Sequence, residues 1–118
     1  QNQRIVIYDG QEIGKEYDYI SIPKDIGGKL AFSAKRNDKN FIVYDGQEIG
    51  KEYDYVTIPQ NIGDKLAFAF LKNGQTLLFY DGREIGYNYD YVSTPTIVNG
   101  KLVFAVAKDG KKFIVMEK

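Results

Sequence analysis

The chain has 118 residues, with 16 basic and 16 acidic side chains, no Cys and no His. Its length fits one small domain or a piece of a larger one, and its charge balance argues against a nucleic-acid binder, which needs a basic stripe to displace counterions from phosphate, and against a polybasic membrane anchor. Without Cys or His there is no disulfide, no thiol-ligated zinc and no Ser-His-Asp or Cys-His catalytic set.

No apolar run reaches the length of a membrane-spanning helix, and no charged-then-apolar leader stands at Gln1. The aromatics are ten Tyr and seven Phe, flat side chains that favour pleated, half-buried surfaces. In chain order, residues 1 to 4 are polar. Ile5-Val6-Ile7-Tyr8 followed by Asp9-Gly10 predicts a strand entering a tight turn. Lys15 to Ile20 alternates in strand period, with Glu16 and Asp18 on one side and Tyr17 and Tyr19 on the other. Ser21-Ile22-Pro23 and a Gly27-Gly28 turn lead to Leu30-Ala31-Phe32-Ser33-Ala34, then a polar loop around Asn37-Asp38. Phe41-Ile42-Val43-Tyr44 restarts the cycle.

The same order recurs around Leu66 to Phe70, Asn73-Gly74 and Leu77 to Tyr80, and again around Leu102 to Val106, Asp109-Gly110 and Phe113 to Met116. The twelve residues Tyr8 to Tyr19 are repeated identically at Tyr44 to Tyr55 and closely at Tyr80 to Tyr91, a period of 36. Pro23, Pro59 and Pro95 keep the same spacing, and no window shows helical periodicity. The chain reads as an all-β single repeat domain over 1–118. Its units run approximately 5–40, 41–76 and 77–112, with a partial fourth unit at 113–118.

A period of this size signals a repeat architecture. Two compete: four-stranded antiparallel β-propeller blades, and a closed threefold barrel of β-trefoil type. Leu66-Ala67-Phe68-Ala69-Phe70 carries no polar residue, large side chains on one face and small ones on the other. That pattern suits sheets stacked on both faces and favours blades.

The run from Phe41 to Asp54, with Gly50-Lys51-Glu52-Tyr53-Asp54, Pro59, Gly63-Asp64-Lys65 and Leu66-Ala67-Phe68 in order, resembles the bacterial WD40-like β-propeller repeat family. The resemblance covers nearly the whole chain. It departs from the family pattern at Ile58 to Asp64, which implies a short, irregular innermost strand, with Pro59 tolerated on its free edge. It also implies a bacterial source and an extracytoplasmic place. Three blades leave a ring open with apolar faces exposed. Either the chain is an excerpt from a longer array or copies associate, and a homodimer closing a six-bladed ring is the expected form.

Little chemistry is legible. Asp9, Asp45 and Asp81 read as Asp-Gly turn residues rather than calcium ligands. Tyr17, Tyr53 and Tyr89 with Asp18, Asp54 and Asp90 fit either symmetric sugar pockets or symmetric packing, and identity in every unit favours packing. Glu16 with Asp18 resembles a glycosidase pair only in composition. Lys24, Gln60 and Thr96 differ between units and are expected in loops, where a specific partner would be met. No catalytic, metal or cofactor-binding residue is assigned. The reading is a non-enzymatic propeller scaffold binding a protein partner, with no nucleic acid and no membrane. A lectin-like carbohydrate binder, or a designed or recently amplified repeat with no function beyond folding, are the alternatives.

Overall fold

The computed structural model describes residues 5–117; residues 1–4 and 118, inside the expected domain and its fourth unit, lie outside the described residues. The described residues form four antiparallel sheets. The first pairs β1 (Val6–Tyr8) with β2 (Gln11–Ile13). The second holds β3 (Tyr19–Ile20), β4 (Lys24–Ile26), β5 (Lys29–Arg36), β6 (Lys39–Tyr44) and β7 (Gln47–Ile49). The third repeats it as β8 (Tyr55–Val56), β9 (Gln60–Ile62), β10 (Lys65–Lys72), β11 (Gln75–Tyr80) and β12 (Arg83–Ile85). The fourth has β13 (Tyr91–Val92), β14 (Thr96–Val98), β15 (Lys101–Lys108) and β16 (Lys111–Met116). Hydrogen bonding is thus phased from Tyr19, Tyr55 and Tyr91, so each of the last three sheets spans the boundary between two sequence units.

The turns explain why the strands meander. Asp9-Gly10, Asp45-Gly46 and Asp81-Gly82 all place both central residues at positive φ, as do Asn37-Asp38, Asn73-Gly74 and Asp109-Gly110. That is the backbone of a two-residue hairpin whose twist matches the strands it joins, and Asn, Asp and Gly are the residues that tolerate it.

The first strand of each of the last three sheets is broken in two. β3 and β4 both pair with β5, and β8 and β9 both pair with β10. Ser21 bridges the break: its N–H donates to the Ser33 carbonyl at 2.9 Å, while its Oγ accepts the Ser33 N–H at 2.8 Å. Thr57 and Ser93 accept from Ala69 and Ala105 in the same way, each at 2.9 Å. A hydroxyl thus takes the place of the ladder carbonyl where the chain turns toward Pro23, Pro59 or Pro95. The short, irregular strand expected from the departure at Ile58 to Asp64 has this form.

Two expectations are corrected. Lys15 to Asp18 is a turn rather than a strand, because Gly14 sits at φ +100° and the Tyr17 N–H closes on the Gly14 carbonyl at 3.1 Å. Lys24, Gln60 and Thr96 are not in loops; each opens the second half of a broken edge strand, exposed to solvent.

The sheets pack face to face. Val6 of the first meets Ile20, Phe32 and Phe41 of the second; Ile26, Ala31 and Ile42 on the other side of the second meet Phe68, Phe70 and Leu77 of the third. Leu78 of the third meets Leu102, Phe104 and Val106 of the fourth. At one end the contact is close enough that a Cβ on Gly27 would lie 2.7 Å from the Asp64 carbonyl oxygen, and Asn61 Nδ2 donates to the Asp25 carbonyl across the same gap at 3.1 Å.

Neither closed form expected from sequence is present: the chain is not a closed propeller, and it is not a threefold barrel. Every sheet is an open path with two edges whose strand ladders run only within it, so no strand is shared in the way a barrel requires. Ile7 and Ile114, on the outer faces of the first and fourth sheets, are 63% and 65% exposed, so the row of sheets stays open at both ends. Apolar faces on both sides of a strand specify stacking, but they do not specify that the stack curls round to its start.

Candidate functional site

The repeated Glu-Tyr-Asp-Tyr stretch is drawn into the framework. Tyr17 and Tyr53 are buried. Tyr17 lies edge-on to Phe41, with ring centroids 5.5 Å apart, and donates its hydroxyl to Glu48 Oε2 at 2.9 Å. Arg36 forks onto the same carboxylate at 3.0 and 3.1 Å, with its guanidinium over the Tyr17 ring, and Lys51 reaches it at 3.1 Å. The Arg36 guanidinium holds the Glu48 carboxyl well below its usual range, at about 2, with the Tyr17 hydroxyl adding to the effect. Burial, then the Glu48 carboxylate, pushes the Tyr17 phenol up.

In the third sheet Tyr53 stacks on Phe70 with centroids 3.8 Å apart and donates to Glu84, and Tyr87 donates to the same carboxylate. The Tyr53 hydroxyl, followed by that of Tyr87, lowers the Glu84 carboxyl. Burial pushes the Tyr53 phenol up, with Glu84 as the second cause. Tyr89 rests edge-on against Phe113 at 6.0 Å.

The three aspartates have one task each. Asp18, Asp54 and Asp90 accept the backbone N–H of Asn37, Asn73 and Asp109, at 3.0, 3.2 and 2.9 Å, capping the hairpin beside them. Tyr17 and Tyr53 therefore have no open aromatic face for a sugar, and the aspartates are engaged with backbone. Glu16 and Asp18 lie in the loop between β2 and β3, where Asp18 is held on Asn37. Asp9, Asp45 and Asp81 occupy their turns at φ 51°, 50° and 47°. Among the described residues no three acids gather where a metal ion would sit, and no helix is long and apolar enough to cross a membrane.

The surfaces that remain available are the outer faces of the end sheets and the gaps between neighbouring sheets. On the fourth sheet Val98, Ile114 and Met116 are exposed. Sequence reasoning did not single out Glu48, Glu84, Arg36 or Ser21. A Tyr and a Glu 31 positions apart announce nothing until the topology sets them side by side; the only signal was that both recur with the period. Comparison with family models, with curated proteins and with solved structures finds no match. Nothing in those comparisons ties the repeat to the WD40-like family or to a bacterial source.

Proposed function

We propose that the chain is a non-enzymatic interaction scaffold whose end sheets bind protein, the first partner being another copy of itself, with a dimer as the smallest assembly. One observation carries this reading. Val98 and Ile114 of the fourth sheet are 43% and 65% exposed, whereas Ile26 and Ile42, at the same repeat positions in the second sheet, are 0% exposed under the third. At the other end Ile7 is exposed, and its equivalent Val43 is buried against the first sheet. The two outer faces are therefore of the two kinds that meet at every internal junction, one matching the other end to end. Contiguous apolar surface of this sort marks a docking face.

Sedimentation at micromolar concentration tests the reading. Association should be weakened by Ile114→Asp and by Ile7→Asp, with circular dichroism unchanged. A wild-type chain that stays monomeric across that range would remove the proposal's support.

A further inference from the structure

The first two junctions between neighbouring sheets lie beside an Asp-Gly turn, Asp45-Gly46 and Asp81-Gly82, and the gap at each is a groove. Between the first and second sheets it measures about 250 Å³ and is lined by Tyr8, Ile13, Leu30, Val43 and Asp45. Between the second and third it measures about 390 Å³, with Tyr44, Ile49, Leu66, Phe79 and Asp81 in the same roles. The equivalence is exact in the backbone: the N–H groups of Asp45, Asp81 and Glu117 donate to the carbonyls of Leu30, Leu66 and Leu102 at 2.9, 3.0 and 2.9 Å.

The third junction differs in its acid, Glu117 in place of an aspartate, and in the cation that meets it. There the chain supplies an arginine of its own: Arg83, on β12, reaches across to Glu117 and forks onto it at 2.7 and 3.3 Å. The residues at the position of Arg83 in the first two junctions are Gln11 and Gln47, which face Tyr8 and Tyr44 across their hairpins. In those junctions the acid meets, among the described residues, only a loose lysine: Lys29 stands 3.9 Å from Asp45 and Lys65 stands 4.0 Å from Asp81.

We propose that the two open grooves bind arginine side chains of a protein partner, as Glu117 binds Arg83 at the third junction. Asp45 and Asp81 accept the guanidinium fork, the Tyr8 and Tyr44 rings stand beside it, and the Ile and Leu walls take the aliphatic stem. Packed sheets lie about 10 Å apart, and residues three apart in a polyproline II chain lie about 9 Å apart on one face. A partner segment reading Arg-x-x-Arg in that conformation spans both grooves, and tethering the two contacts raises their combined affinity. The site is separate from the end faces, so its success or failure is independent of end-to-end association.

The test is an amide chemical-shift titration of the full chain with acetyl-Gly-Arg-Pro-Pro-Arg-Gly-amide, and with the same peptide carrying Lys for Arg. The arginine peptide should shift the amides of Asp45, Gly46, Asp81 and Gly82, and the lysine peptide should bind about five-fold or more weakly, because it lacks the fork. Gln47→Arg, which gives Asp81 an internal arginine as Glu117 has in Arg83, should abolish the response at Asp81 and Gly82 and leave a weaker one, from a single contact, at Asp45 and Gly46. Equal binding of the two peptides, no shift at these turns, or an undiminished Asp81 response in Gln47→Arg would overturn the proposal.

Discussion

The second and third sheets solve one problem with different side chains. In both, a buried tyrosine from the preceding loop crosses the sheet face and gives its hydroxyl to a glutamate on the last strand. Around Glu48 the companions are cations, Arg36 and Lys51. Around Glu84 the companion is a second hydroxyl, Tyr87, while Lys72, at the position of Arg36, stands over the Tyr53 ring at 6.0 Å. The repeat preserves the Tyr–Glu contact, and the neighbours decide how that contact answers to charge, salt and pH.

The largest effects come from removing what both versions share. Phe70→Ala takes away the ring under Tyr53, and Phe41→Ala the ring beside Tyr17; each is expected to cost about 3–5 kcal/mol, read as a fall in the urea midpoint. A large gap between the two would show that the sheets are not equivalent at their cores.

Next come the acids. Glu48→Ala leaves the Tyr17 hydroxyl and the Arg36 guanidinium without their acceptor and should cost about 1–3 kcal/mol. Glu84→Ala should cost less, because Tyr87 is exposed and turns to water. Equal losses would erase the distinction drawn between the two latches. Ser21→Ala, which strips the half-buried Ser33 N–H of its acceptor, should cost about 1–2 kcal/mol by the same measurement.

The response to pH has a definite sign. Glu48 titrates lower in the fold than its ordinary 4.5, at about 2, so its contribution is complete above pH 4.5 and is lost as pH falls toward 2. Tyr17 and Tyr53 titrate higher in the fold than their ordinary 10.0, so theirs is complete below pH 10 and is lost as pH rises beyond it. Tyr17→Phe and Tyr53→Phe should flatten the alkaline limb of the stability curve and leave the region near neutrality less changed. The smallest effect is that of salt. One molar NaCl should weaken the Arg36–Glu48 latch slightly, since the pair is partly exposed, and the Tyr87–Glu84 latch, where the cation Lys72 stands further off, less still.

The strands and turns were legible in the chain because their signals are local. Asp45-Gly46 and Asn73-Gly74 carry their own backbone preference, and Leu66 to Phe70 shows by its missing polar face that both sides are covered. What failed was non-local. Lys15 to Asp18 alternates like a strand, yet Gly14 bends it into a turn. Closure depends on the small rotation between successive sheets, which no residue pattern encodes. The partners of Tyr17 and Ser21 lie 31 and 12 positions away, at Glu48 and Ser33, and become visible only through the pairing of the strands.

The most direct measurement is sedimentation equilibrium of the wild-type chain beside Ile114→Asp at micromolar concentration. Expected is a wild-type mass above the 13.5 kDa of one chain and a folded variant at that mass. A wild-type chain that sediments as a folded monomer throughout would contradict the claim that its two exposed end faces are made to meet.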